Sequence, residues 1–554
     1  MKKLVFLWVA SLAAACGGGA ESGGPDVPLP DLTSEDNRPD AEVAPDTVRD
    51  TGPDTATEGA PDTVNDTGPD AAIIEGCKKQ LEIGESGRAL KCFEAALANW
   101  PDDTNLLFGA ALAELVYGSE LSIMVTSAPG QFANGDQQSQ NEYLGAEFHS
   151  IFMRLRSFFV NAAQRLERIQ GRDLHFEVSA CPIFLGLKPT LNARGVFDDG
   201  DVLLMQAIAD VVIGFYDFLA GQDFTTEVMD MIYFIKDNLS SADFKAISGV
   251  LAYLLDADTR FLTLEATDGK ALFEDARERF GSAGPRLLAA LDRIRELGDS
   301  ANDVTFVEDT GDSVRLHFSM GVTYDSSGKP VEEPLVFELS GKVQDGLRNA
   351  SESILKPGRL TTLHGGVFPV LGLIVSTVAR AGVLKGLNVS LPIDIGAFEP
   401  GQLSDLLCTM MPNALAFDWG TFFTRPTGLR GWLPVWESKG GPEESRLVCE
   451  WECPEDLDAS GYPSGKFRML CGEGATLTDG PHFEGQPWKT EADGVASALP
   501  VFAFKDPTLD GLLYVNLSPT PMSDDATSYK PATTTSLNAA MGMLLSGLLP
   551  LLLK

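Results

Sequence analysis

Five histidines stand in this 554-residue chain, at His149, His175, His317, His364 and His482. None belongs to a His-Glu-x-x-His pair, the spacing that turns two imidazoles toward one zinc ion on a helix face. The sequence also lacks a Gly-x-Ser-x-Gly elbow, a Walker loop and a dinucleotide-binding glycine pattern. His364-Gly365-Gly366 reads as a helix start. General acid–base chemistry would then fall to carboxylates. With 79 acidic residues against 42 basic ones, composition singles out no pair. Asp210 and Asp217, seven apart in an apolar run, share a helix face and could form a buried acid pair. The expectation is a helix edge that reaches solvent. The formal charge of −37 argues against nucleic acid, whose phosphates need a basic footprint. No catalytic residue, cofactor or metal is assigned.

Eight cysteines are the other reactive groups. The first follows Met1-Lys2-Lys3, the apolar run Leu4–Leu12 and Ala13-Ala14-Ala15. A positive start, a short apolar stretch and small residues make a secretory signal, too short to span a bilayer. A cysteine directly after them resembles the lipobox of Gram-negative lipoproteins, with Leu12 one step further out than the family's usual leucine. The resemblance implies that Cys16 is acylated and becomes the mature N-terminus. Gly17-Gly18-Gly19 lacks the aspartate that signals inner-membrane retention in that family, which implies the outer membrane, facing the periplasm or the cell surface.

Residues 17–72 support that address. They hold eight Gly, eight Pro, fourteen acidic residues, two Arg and no aromatic. PDTVRDTGPD at 45–54 recurs as PDTVNDTGPD at 61–70. Such a stretch cannot bury enough apolar surface to offset its ordering entropy, and proline with like charge keeps it extended. It reads as a disordered acidic tether.

An exported, oxidising address favours disulfides. Cys77 and Cys92 flank a helical turn-back and would staple it. Cys408, Cys449, Cys453 and Cys471 allow three pairings, among which the sequence does not choose. Cys181 is left over. Cys449, Cys453, Cys471 and His482 also make a chemically legal zinc set, but the three-residue spacer and the compartment argue against it.

The elements that must carry these residues are mainly helical, beginning near Ile73. Ala89, Phe93, Ala96 and Pro101 fall at offsets 0, 4, 7 and 12, with Leu107, Ala110 and Ala111 following. This resembles the second helix of a tetratricopeptide repeat and the start of the next, over some 45 residues and without a second clean copy. Helical periodicity continues through 143–170, 202–219, 224–239, 241–255 and 285–297. The arginines at 154, 156, 165 and 168 fall on the polar side of the first of these. Asp299–Ser313 is an acidic stretch expected to be a solvated loop. Val367–Ala379 reads as a buried helix.

After about Ala397 the texture changes. Five of the seven tryptophans lie there. Leu447–Cys453 and Phe467–Cys471 alternate as strands that would bring Cys449 near Cys471, and residues 501–504 and 512–515 would add strands. The tail, Ser536–Lys554, is almost wholly apolar, interrupted by Pro550, and expected to dock as a terminal helix.

The fold class expected is therefore mainly α. A signal with its lipidated cysteine spans 1–16 and a disordered linker 17–72. A helical domain opening on tetratricopeptide-like hairpins follows at 73–398. A loop-rich Cys- and Trp-containing lobe with short strands (399–535) and an apolar terminal helix (536–554) complete the chain. The function expected is a non-catalytic envelope scaffold, bound to the membrane through Cys16 and to a protein partner. A carrier for a hydrophobic ligand such as a lipid is the alternative, and an enzyme with an unrecognised site comes third.

Overall fold

The computed structural model describes most of residues 71–380 and 398–433, together with parts of 436–479 and 504–544. Within the first range, residues 128–136, 185–188, 225–254, 257–258, 266, 299–302, 312 and 325–329 are not described. Cys16, the linker, Cys449, Cys453, Cys471, His482 and the tail after residue 544 also lie outside the described residues. So does the helical expectation for residues 225–254.

The fold is mainly α with some β. Three helices open it: α1 (Ala71–Glu82), α2 (Ser86–Leu97) and α3 (Thr104–Ser127). The small-and-aromatic pattern is buried, with Ala89, Phe93 and Ala96 all in the core. Pro101 stands in the turn between α2 and α3. A Cβ on Gly109 would come within 2.4 Å of the Phe93 ring, so α2 and α3 approach as closely as glycine permits. Cys77 of α1 and Cys92 of α2 are joined by a disulfide, their Cα atoms 5.4 Å apart, within the range this bond spans.

α4 (Gln137–Ile169), α5 (Asp199–Ala220) and α6 (Gly269–Leu297) form the central helical layer. α5 packs against both of the others. Leu155, Phe159 and Ala163 of α4 meet Ala209, Ile213 and Tyr216 of α5 in one core. Leu288, Leu291 and Ile294 of α6 meet Leu204 of α5 in a second core, which also receives β-strand residues. By length and composition alone α5 would suffice to cross a membrane. Flanked by α4 and α6, it serves as a core helix.

A five-stranded antiparallel sheet lies inside the region expected to be helical, and this corrects the sequence reading. Its strands are β1 (Phe176–Phe184), β2 (Pro189–Phe197), β3 (Thr305–Asp309), β4 (Ser313–Tyr324) and β5 (Pro330–Ser340). They run β1-β2-β4-β3, with β5 on β4. The register of β4 is set by Phe306↔His317 on one edge and Leu316↔Phe337 on the other. β1 buries Leu174, Phe176 and Val178 just before and within it, while His175, Glu177 and Ser179 face water. That period of two is a strand signal the helical reading passed over. The acidic segment at 299–313 is likewise not a loop throughout. Thr305 and Val307 turn inward from β3 and Glu308 and Asp309 outward, so two inward positions outweigh the local charge.

α7 (Gly341–Leu355) leads through β6 (Thr361–Thr362) and a π-turn, Leu363–Val367, into α8 (Phe368–Arg380). Thr362 caps that turn by accepting from the Gly365 N–H. Beyond it lie α9 (Pro400–Met410), β7 (Leu415–Phe417) and α10 (Trp419–Thr424). The late strands are short. β8 (Trp436–Lys439) pairs with β9 (Gly441–Leu447), and β10 (Glu450–Glu452), β11 (Arg468–Leu470) and β12 (Thr478–Asp479) form a three-stranded sheet. Glu450 pairs with Leu470, one position inside the two cysteines expected to approach each other. β13 (Leu513–Val515) and β14 (Lys530–Pro531) join β6 and β7. Leu537, Ala540 and Leu544 are buried in that core, so the described part of the tail docks on the body.

Candidate functional site

α5 begins on an acid-rich turn. Asp198 caps it by accepting from Gly200 N and Asp201 N, and Asp201 accepts from Asp198 N in return. This reciprocal box satisfies donors that the first helical turn leaves open. Asp201 is buried and also accepts from the Thr305 hydroxyl of β3. Burial, reinforced by the negative charge of Asp198, pushes its carboxyl up to about 8.

About two and a half and four and a half turns further along, Asp210 and Asp217 have no solvent exposure. The expectation that they edge into water is therefore overturned. Asp210 accepts from Arg279 Nη1 at 3.0 Å, from Arg286 Nη1 at 2.6 Å and from Ser282 Oγ at 3.0 Å. Arg156 of α4 donates through Nε to Asp217 and through Nη2 to Asp275 of α6. Asp275 lies 3.6 Å from Arg279 Nε. Three carboxylates and three guanidinium groups thus alternate through the α4–α5–α6 interface. Burial raises Asp217 to about 7, against the opposing pull of Arg156 and with help from the negative charge of Asp275. The periodicity of α4 placed Arg156 on a polar side. Its long stem instead carries the guanidinium inward to an acid, as amphipathic side chains readily do.

A smaller ion-pair cluster joins α3 to α4. Glu114 is buried, 2.8 Å from Arg165 Nη1, and Arg165 also meets Glu94 at 2.9 Å. Burial raises Glu114 to about 8, with Arg165 opposing.

The described histidines lie apart. His149 Nδ1 is 3.0 Å from the Ala220 carbonyl oxygen, and its Nε2 is 3.8 Å from Asp268. His317 stacks on Phe306 and lies 3.2 Å from Glu308. His364 Nε2 is 2.8 Å from the Met411 carbonyl oxygen, at the start of the π-turn, where a helix start was expected. His175 is exposed.

Among the described cysteines, Cys77 and Cys92 are bonded to each other. Cys181 is a buried free thiol on β1, pushed up to about 12 by burial. That is far from the thiolate that nucleophilic or metal chemistry needs. Cys408 is half-buried on α9 against the core that receives the tail. The proposed partners of Cys408, and the zinc alternative, fall outside the described residues. Among the described residues, no three His, Cys, Asp or Glu side chains are grouped to hold a metal ion.

Two open clefts mark the surface. One, of about 470 Å³, is lined by Leu264, Glu265, Asp268, Lys270 and Glu274 near His149. The other, of about 650 Å³, runs past Asn349, Lys356, Arg359, Thr361 and Thr362. Neither is lined by the buried carboxylates Asp201, Asp210, Asp217 or Glu114. The displaced carboxyl groups are consumed inside helix and strand contacts, and what their arrangement can do is clamp those elements together.

Sequence reasoning found Asp210 and Asp217 as a pair but missed their partners. Spacing alone offered no reliable signal: Arg279 and Arg286 of α6 stand seven apart as the aspartates do, yet both meet Asp210, while Asp217 is met by Arg156 of α4. Compared with protein-family models, with curated proteins and with solved structures, the chain has no match.

Proposed function

We propose that this protein is a lipid-anchored envelope protein whose helical body acts as a non-catalytic scaffold for a protein partner. Acylated Cys16 would hold it at the outer membrane, and the acidic tether would lift the body off the bilayer. The observation that carries the non-catalytic reading is the internal pairing of Asp210 with Arg279, Arg286 and Ser282. Groups tuned for catalysis face a cleft where substrate can reach them. These face one another. The successive hairpins of α1 to α3, with buried Ala89, Phe93 and Ala96 at their contact, support a repeat-like binding module of the tetratricopeptide kind.

The test has two parts. Cys16→Ala should move the protein from the membrane pellet to the soluble fraction; an unchanged pellet would reject the anchor. Affinity capture from envelope extracts in mild detergent should then yield a stoichiometric protein. A bound lipid in native mass spectrometry, with no protein, would favour the carrier instead.

A further inference from the structure

The larger cleft runs against the charge of the chain. Its charged lining among the described residues is two cations, Lys356 and Arg359, with no carboxylate, although acids outnumber bases 79 to 42. Its volume of about 650 Å³ lies within the roughly 300–1,000 Å³ that small-molecule sites occupy.

The local sequence brings the two cations together. Lys356-Pro357-Gly358-Arg359 places proline and glycine at the two central positions of a type II turn. Gly358 has a φ of 84°, and Arg359 N donates to Lys356 O at 3.1 Å, which closes the turn. The first and last Cα atoms of such a turn stand within about 7 Å of each other. Like charges held that close repel, and an anion between them reverses the sign.

The walls are fixed before any ligand arrives. Both Asp418 oxygens accept from Gly358 N, at 3.1 and 2.9 Å, and Ser353 Oγ donates to Arg359 O at 2.6 Å. A Cβ on Gly420 would come within 2.5 Å of Pro357 N, so α10 packs directly against the turn. On the opposite wall, Asn349 Nδ2 donates to Gly365 O, and Thr361 Oγ1 donates to Asn349 O. A framework held on both sides spares a ligand the cost of ordering it.

Nearby acids leave donors over. Glu352 lies 2.6 Å from Arg359 Nη2, and a guanidinium has two further donor nitrogens. Asp418 is buried beneath the turn and also accepts from Thr421 N and Oγ1. Lys356 is exposed, and among the described residues no carboxylate pairs with its ammonium group. A guanidinium edge matches two oxygens of an oxyanion, and an ammonium group adds a point charge beside it. A phosphate monoester is nearly a dianion at pH 7 and offers three oxygens, enough for both cations. A carboxylate offers one charge and two oxygens.

We propose that this cleft binds a phosphate group, with Arg359 donating to two of its oxygens and Lys356 to the third. Free phosphate and the phosphomonoester headgroup of a lipid share that chemistry. The site requires neither the membrane anchor nor a protein partner.

Titration calorimetry on the full-length protein in mild detergent tests this with two probes, inorganic phosphate and dihexanoyl phosphatidic acid. At least one should bind saturably, and Lys356→Gln and Arg359→Gln should each weaken it about tenfold or more. Arg88→Gln, which removes an exposed cation from α2, should change binding by less than about twofold. Inorganic phosphate binding as tightly as the lipid assigns the site to free phosphate; binding of the lipid probe alone assigns it to a headgroup. No saturable binding of either probe overturns the proposal. So does binding that neither cleft substitution weakens, that Arg88→Gln weakens equally, or that sodium acetate matches. A second measurement needs no variant. Saturating probe should slow acetylation of Lys356 by acetic anhydride, read by peptide mass mapping, and an unchanged rate overturns the proposal equally.

Discussion

Asp210 is sealed from water and met three times, by two guanidinium groups and a hydroxyl. A buried charge is tolerable only when paired and hydrogen-bonded, and removing one partner strands the rest. Asp210→Ala should therefore lower unfolding free energy by about 3–5 kcal/mol in urea titrations. A loss below about 1 kcal/mol would mean that Arg279 and Arg286 simply turn to solvent. The pair Asp210 and Asp217 was legible in the sequence as a spacing. Its burial was not, because the partners arrive from 61 to 76 positions away. Hydrophobic periodicity assigns a face to a residue but says nothing about a distant arginine that can follow it inward.

At the scale of elements, legibility followed range. α2 and its contact with α3 could be read because alanine, phenylalanine, alanine and proline at fixed offsets are a local code. The same contact gives a test. Gly109 faces the Phe93 ring, which is itself buried and lies 6.3 Å from the Phe176 ring. With little room to retreat, Gly109→Ala should cost about 1–3 kcal/mol through overpacking, despite alanine's better helix propensity. A gain in melting temperature would show that the two helices slide apart freely. Range explains only one joint of the five-stranded sheet, whose β1–β2, β3–β4 and β4–β5 pairings join strands adjacent in sequence. β2 pairs with β4 across more than a hundred residues, through Leu191↔Gly321. Alternating strands embedded among strong helical patterns, even ones as long as the twelve-residue β4, carry a weaker signal than the helices around them. The disulfide between Cys77 and Cys92 needed no long-range knowledge, since both cysteines belong to one hairpin.

For the whole molecule, three buried carboxyl groups set a pH dependence. Burial raises Asp217 to about 7 and Asp201 and Glu114 to about 8. In an unfolded chain such groups titrate near about 4. Between those limits the native state holds protons that the unfolded state has released, so stability falls as pH rises. The contribution is full below about pH 4 and is lost progressively up to about pH 8. Thermal melts should therefore give a higher midpoint at pH 5 than at pH 8. Net charge alone would give the same direction, so Asp201→Asn discriminates. It should flatten the slope while keeping the contact to Thr305. An unchanged slope would mean that Asp201 stays ionised throughout.

With Asp217 ionised, the alternation of Asp210, Asp217 and Asp275 with Arg156, Arg279 and Arg286 is electrically neutral, whereas the chain carries −37. Repulsion therefore lives on the outside and attraction on the inside, and ionic strength separates the two. Dissolved salt screens exposed charges beyond about 8 Å at physiological concentration but reaches buried pairs far less. Moderate sodium chloride should thus raise the melting midpoint, as it relieves the acidic exterior and leaves the helical layer gripped. A protein whose chloride response is stabilising has its cohesive charges where counterions do not go.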